Sequence, residues 1–332
     1  MPITIKDIAK VAGVSHTTVS RALNGNPAIS SETRQRIEKL AHDMGYVPSA
    51  VAQSLLARQT FTVGMVVTSI ADPFISRVVE GVENIAQATN YSVFLATSYN
   101  NPEQEIKIVE TLQRRRVDGI IVTSSKVGSI YSERQDQIQV PIVLVNNQEP
   151  GDYLYSVGVD DVNGARLAVE HLISLGHRQI GYIGTASRPN SNRHRFEGYR
   201  LALEQAGLAF DPALVFLPET MDDFRCGEAA LSRCLAQRVT AVFCYNDVTA
   251  IGLLKACQRQ HLAVPDQLSV IGFDNIEATL YVTPTLTTIH QPRRRMGEMA
   301  MTMLLNIFAG QSPQDKLLPG ELVVRESTRP IN

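Results

Sequence analysis

The sequence predicts an α/β protein with a small all-α helix-turn-helix headpiece, and two observations predict it. Residues 4–45 carry three runs of apolar positions at helical spacing, separated by Gly13 and by Asn24-Gly25. From Phe61 onward, short aliphatic runs alternate with amphipathic stretches, as in buried parallel strands joined by crossover helices.

Each headpiece element has its own signal. Ile5, Ile8, Ala9 and Ala12 recur at helical spacing, and Thr4 followed three residues later by Asp7 makes a capping-box start. Gly13 permits the turn. Ser15 caps a second helix, Val19 and Leu23 face inward, and Asn24-Gly25 ends it. His16, Thr17 and Arg21 are left near the exposed start of a recognition helix, where Arg21 can span guanine O6 and N7. Thr4, Ser15, Thr18, Ser20 and Asn24 complete the DNA-facing set expected here. A third helix, 31–44, closes at Gly45 and supplies Ile37, Leu40, Ala41 and Met44 as a platform.

Tyr46-Val47-Pro48-Ser49-Ala50-Val51-Ala52-Gln53-Ser54-Leu55-Leu56 follows. Alone, it reads equally as a linker whose leucines pack on the next domain. After this helix-turn-helix it closely resembles the hinge of the lac-repressor/galactose-repressor (LacI/GalR) family, which includes purine-repressor-like members. The resemblance implies a short helix that folds on operator DNA and drives one leucine per subunit into the minor groove, by position Leu55, with Ser49 nearby.

The net charge of −2 looks wrong for a DNA-binding protein, but its distribution is informative. Residues 1–60 hold seven cations (Lys6, Lys10, Arg21, Arg34, Arg36, Lys39, Arg58) against four anions (Asp7, Glu32, Glu38, Asp43), leaving −5 for the rest. Phosphate attraction is therefore local to the N-terminus. Cys226, Cys234, Cys244 and Cys257 form no Cys-x-x-Cys pair, which indicates neither zinc nor a redox dithiol. With no leader and no long apolar run, a cytoplasmic protein is expected, without membrane partner, metal or cofactor.

The strands expected in the rest are 63–69, 91–98, 119–125 and 141–147, then 155–160, 180–184, 241–246 and 268–275, with helices such as 164–175 and 248–258 between. Two similar α/β units are implied, with ligands held at strand carboxyl ends in the cleft between them. Thr287-Thr288-Ile289-His290-Gln291-Pro292 and Leu322-Val323-Val324-Arg325-Glu326-Ser327-Thr328 extend the family resemblance over essentially the whole chain. It implies a two-lobed periplasmic-binding-protein-like core of parallel sheets flanked by helices, in which the chain crosses between lobes near 160, 290 and 322. The domains expected are 1–47, helix-turn-helix; 48–60, hinge and linker; and 61–332, effector-binding and dimerisation core. Within the core, lobe 1 is 61–160 plus 292–321 and lobe 2 is 161–291 plus 322–332.

The same resemblance marks cleft residues. Arg195 occupies a ligand position, with planar donors suited to vicinal hydroxyls or a carboxylate. Asp274, in Gly272-Phe273-Asp274-Asn275, matches a ligand-accepting carboxylate, and Asn246 a third contact or simply a helix cap. Phe74 falls at a stacking position, while Asp72 reads equally as a hydroxyl acceptor or as the N-cap of a helix opened by Pro73. Asp161 and Asn163 are further candidates. Asp222 stands where purine- and galactoside-binding members carry an aromatic residue, unless Phe224 takes that role. The run Arg293-Arg294-Arg295 looks like a phosphate site, but charge runs usually lie on a solvated face, which is the preferred reading.

These features imply a ligand-responsive transcription repressor that binds a pseudo-palindromic operator in double-stranded DNA as a homodimer, controlled by a sugar or polyol. The competing readings are a solute-binding protein, which has no use for residues 1–58, and an enzyme. The chain holds no Gly-x-Gly-x-x-Gly, Gly-x4-Gly-Lys-Ser/Thr or Gly-x-Ser-x-Gly, and its histidines lack metal spacing, so no catalytic residue is expected.

Overall fold

Thr4 closes a reciprocal capping box with Asp7, so helix α1 (Ile5–Ala12) starts where the sequence places it. Gly13, at φ 68°, ends that helix in the left-handed conformation. Helix α2 (His16–Leu23) is capped by Ser15 and α3 (Ser31–Asp43) by Ser30, each through the backbone N–H three residues on. Ile8, Ala9, Val19, Ala22, Ile37 and Ala41 form the headpiece core. Arg34 donates to Gly25 O and Asn26 O, and Arg36 to Ala12 O, so two of the basic residues secure turn carbonyls.

The computed structural model describes residues 3–47, 59–134, 137–149, 155–217 and 222–331. Ser49 and Leu55 lie outside the described residues. The chain divides into two compact units, Met1–Thr60 and Phe61–Asn332.

The second unit holds two six-stranded sheets. The first contains β1 (Thr62–Val67), β2 (Ser92–Thr97), β3 (Gly119–Thr123), β4 (Ile142–Val145) and β5 (Ser156–Val159). Its helices are α4 (Pro73–Ala88), α5 (Pro102–Arg114) and α6 (Gly128–Glu133). The second sheet follows with α7 (Asp161–Ser174), β6 (Ile180–Ile183), α8 (Pro189–Gln205), β7 (Val215–Phe216) and α9 (Asp223–Ala236). It continues through β8 (Ala241–Cys244), α10 (Asp247–Arg259), β9 (Ser269–Asp274) and β10 (Thr287–His290). The chain then forms α11 (Arg293–Phe308), β11 (Lys316–Leu318) and β12 (Glu321–Val323).

Strand order is β11-β5-β4-β3-β1-β2 in the first sheet and β12-β10-β9-β8-β6-β7 in the second. All pairings are parallel except β10 with β12. Thus β11 joins the first sheet beside β5, and β12 the second beside β10.

Alternation along β1 shows how each sheet is buried on both sides. Met65 and Val67 pack with Val78 and Val82 of α4 and Met296 and Leu304 of α11, while Val66 packs with Val109 and Leu112 of α5. In the second lobe, Phe243 and Phe273 meet α7 and α8, whereas Val242 and Cys244 meet α9 and α10. Asp72, Asp161 and Asn246 lie between a strand's carboxyl end and the helix that follows or at that helix's start, and Asp274 is the last residue of β9.

Candidate functional site

On the headpiece, several predicted DNA-facing residues also build the helix ends. Thr4 closes the capping box, Ser15 accepts from Thr18 N and lies 2.9 Å from Thr18 Oγ1, and Asn24 Nδ2 donates to Ser20 O. His16, Thr17 and Arg21 are exposed on α2, while Thr18 and Ser20 are half-buried. The recognition-helix face is thus carried by side chains whose backbone is already fixed at both ends.

In the second unit the structure gathers Asp161, Arg195, Asp274 and the start of α10. Arg195, 3% exposed, donates from Nε to Asp161 Oδ1 at 2.8 Å and from Nη1 to Tyr245 O at 2.6 Å. Nη1 also stands 3.5 Å from Asp274 Oδ1, and the guanidinium lies over the Phe273 and Tyr245 rings at 3.8 and 4.6 Å. Burial alone would lower its basicity, but Asp161 and Asp274 reverse that and hold it firmly protonated.

Burial pushes the Asp274 carboxyl up to about 6, against the pull of Arg195, Arg188 and Arg293. Its backbone, at φ 114°, is strained, as expected where a side chain is aimed at a site rather than packed for comfort. Gln291 Nε2 donates to Asp274 Oδ1 at 2.5 Å. Asp247, fully buried, accepts from Thr288 Oγ1 and Ile276 N; burial, then neighbouring Asp274, raises its carboxyl well above the usual range.

Several predicted residues also take partners that the sequence did not specify. Asp72 caps α4 through Phe74 N, as one of its two readings expects, and its other carboxylate oxygen pairs with Arg188 from the opposite lobe. Asn246 caps α10 through Thr249 N while its Nδ2 donates to Asp223 Oδ2 at 2.8 Å. Asn163 accepts from Arg166 on its own helix. Phe74 is 2% exposed and packs in the first-lobe core, so its ring is not presented as a stacking wall. Asp222 is exposed and caps α9 through Phe224 N and Arg225 N. The neighbouring Asp223 instead joins Thr185 and Asn246.

Sequence reasoning missed Arg188, Asp223, Gln148 and Ser191, and it misread Arg293. Arg293 is 8% exposed and donates to Pro73 O and Asn275 O, tying the two lobes together. Arg294 and Arg295 do lie on a solvated face, beside Glu80 and Glu298. In the second unit, among the described residues, Thr68 Oγ1, Ser124 Oγ, Asn147 Oδ1, Thr249 Oγ1 and Gln291 Oε1 are buried without a hydrogen-bond partner, as is Arg34 Nε in the headpiece. Four of these residues, Thr68, Ser124, Asn147 and Gln291, stand just past β1, β3, β4 and β10, and Thr249 is in the first turn of α10. Unsatisfied buried polar atoms cost about 1–3 kcal/mol each, and such a concentration at strand ends offers hydrogen-bonding capacity that a polar ligand or water can take up.

Comparison with known proteins follows the same division. Residues 4–49 match the family described as bacterial regulatory proteins, lacI family, and residues 169–328 match a periplasmic binding protein-like domain. The chain is 35% identical over 332 residues to the HTH-type transcriptional repressor CytR of Escherichia coli, covering 99% of this chain and 97% of that one. The chain belongs to the lacI family. The HTH-type transcriptional repressor PurR of Erwinia tasmaniensis is 38% identical over 323 residues, covering 95% of this lacI-family chain and 93% of its own. Among solved structures, the lac repressor dimer bound to operator and the anti-inducer ONPF aligns with TM-score 0.88 at 28% identity, covering 99% of this chain and 100% of the other. A LacI family transcriptional regulator from Enterococcus faecium with bound ribose aligns with TM-score 0.73 at 30% identity, covering 82% and 100%. No helix among the described residues is long and apolar enough to cross a membrane.

Proposed function

We propose that this lacI-family protein is an effector-controlled transcription repressor that binds a pseudo-palindromic operator as a dimer and acts in the cytoplasm without catalysing a reaction. The observation that carries this reading is the pairing, in one chain, of an exposed recognition-helix face with a separate unit whose strand ends hold unpartnered buried polar atoms. One recognition helix buries too little surface for specificity, which favours two half-sites read by two copies. His16, Thr17, Ser20 and Arg21 read bases, Thr4, Ser15, Thr18 and Asn24 hold the helix ends against the duplex, and Ser49 and Leu55 belong to the hinge.

The working parts are the headpiece 1–47, the hinge 48–60 and the core 61–332, whose lobes are 61–160 plus 292–321 and 161–291 plus 322–332. The pairing of β11 with β5 and of β12 with β10 supports that discontinuous division.

The effector is a sugar or related polyhydroxylated metabolite. Asp72, Asp161, Asn163, Arg195, Asn246 and Asp274 form its polar frame, with Arg188 and Asp223 added. Alternating donors and carboxylates suit adjacent hydroxyls, and an exposed Asp222 where purine-binding members carry an aromatic residue argues against a purine, unless the nearby Phe224 takes that role. Selection of binding sites from random duplexes, followed by melting scans with ribose, cellobiose, other sugars and purine bases, tests both halves. A pseudo-palindrome should be enriched, and at least one sugar or polyol should raise the melting temperature and alter DNA affinity. No enriched site overturns the repressor reading, and a response to purines alone overturns the ligand class.

A further inference from the structure

We propose that the first turn of α8 is a latch that holds the two lobes closed without effector, with Gln148 of the first lobe capping this second-lobe helix. Helix α8 lacks a cap of its own: its N-cap is Arg188, which makes no side-chain cap bond, and Pro189 follows. An arginine side chain offers only donors and cannot accept the first-turn N–H groups. The acceptor comes from across the cleft. Ser191 N donates to Gln148 Oε1 at 3.3 Å, and Gln148 Nε2 donates back to Ser191 Oγ at 2.9 Å. Gln148 is 2% exposed and is itself fixed, its N donating to Ser125 O at 2.7 Å and its Nε2 to Asn146 O at 2.8 Å.

Two neighbours reinforce the latch. Asn190 Nδ2 donates to Asn147 O at 3.1 Å, and Arg188 pairs with Asp72 at the start of α4. Three residues of one helix start, Arg188, Asn190 and Ser191, therefore grip two first-lobe loops, one after β1 and one after β4. Opening the cleft exchanges all these bonds for water and leaves α8 uncapped. A cap is worth enough to change a two-state ratio about fivefold, and the Arg188–Asp72 pair adds to it. The latch accordingly biases the lobes toward the closed form by about that factor, and an effector that favours the closed form has correspondingly less of the equilibrium left to shift.

The proposal deepens the effector reading by naming what regulates its cleft, and it rests on that reading. Its test is run on full-length protein with no ligand added, so a failed ligand screen and a failed latch give different results. Dyes on Glu103→Cys and Glu204→Cys, exposed positions on α5 and α8, report lobe separation by single-molecule energy transfer, since the native cysteines are buried. Amide exchange over residues 190–193 reports the cap. Gln148→Ala should populate a longer distance about fivefold more and speed that exchange by a similar factor; Asp72→Asn should lengthen the distance as well. If exchange quickens while the distance distribution is unchanged, Gln148 is a local cap and the latch is wrong. Unchanged exchange and distance overturn both parts. Ser191→Ala, which keeps the N–H but loses the Oγ acceptor, should show a smaller shift in the same direction, and it decides the matter if Gln148→Ala does not fold.

Discussion

Arg195 and Arg188 are seven positions apart in sequence but do different work. Arg195 is buried between two carboxylates, and its removal takes a charged hydrogen bond from Asp161 and a charge partner from Asp274, so Arg195→Ala should cost about 3–5 kcal/mol in urea unfolding, the range for breaking a buried ion pair from one side. A cost under about 1 kcal/mol would show that the network is solvated, given the usual value of exposed pairs. Arg195 and Asp274 were legible because each sits in a recognisable motif. Arg188 was not, because its partner Asp72 lies in the other lobe and no local pattern joins them. Arg293 was misread for a related reason: successive helical residues point in different directions, so in a run of three arginines one faces the lobes while two face water.

Asp274 also sets a pH dependence. Its folded carboxyl is raised to about 6 by burial, above its unfolded value, so the stability tied to its neutral form is complete below about pH 4 and is lost as pH rises through about 6. Asp274→Asn removes this term. Melting curves between pH 4 and 7 should therefore show the variant gaining on the parent as pH rises; parallel curves would mean that the carboxylate is fully compensated. On the headpiece, Arg21→Ala should weaken operator binding by about 1–3 kcal/mol while sparing random duplex, because base contacts carry sequence information and phosphate contacts do not. Equal losses on both DNAs would assign Arg21 to the backbone.

Helix pairs in the core approach through glycines. A Cβ on Gly81 of α4 would meet Arg294 O at 2.0 Å, and one on Gly297 of α11 would meet Val78 O at 2.0 Å. The second lobe repeats the device, with Gly227 against Thr249 O at 1.9 Å and Gly252 against Phe224 O at 2.0 Å. Backbone cannot yield as a flexible side chain does, so Gly297→Ala should destabilise by about 1–3 kcal/mol or more, measured by denaturant unfolding. A neutral result would mean that α4 and α11 slide freely. These crossings were not legible: a glycine inside a helical pattern reads only as a propensity cost until its neighbour is known. The strands were legible where short, mainly apolar runs stand between turn signals, as in β1 to β6, β8 and β9. The two-residue β7 and three-residue β11 and β12 fall below any periodicity. Strand β11 belongs to the first sheet through pairings made 159 residues away in sequence, as Lys316 with Val157 shows, and only the family resemblance anticipated that return.

At the scale of the whole molecule, charge and domain structure separate the two activities. Residues 1–60 carry a net +3 and form one compact unit, while the remaining −5 belongs to the other. A protein lacking residues 1–60 should thus keep its core melting transition and its response to sugars while losing measurable affinity for duplex DNA. The full chain should lose affinity steeply as salt rises, because the phosphate contacts release counterions. The two measurements bear on different claims. If the truncated protein still binds DNA, the acidic unit contributes a reading surface of its own and the headpiece is not the sole reader. If it melts far below the parent, the units stabilise one another, and the effector's influence on DNA passes through that coupling as well as through the hinge. With melting and sugar response intact and DNA binding gone, DNA reading belongs to residues 1–60, and any change in lobe closure must reach the duplex through them.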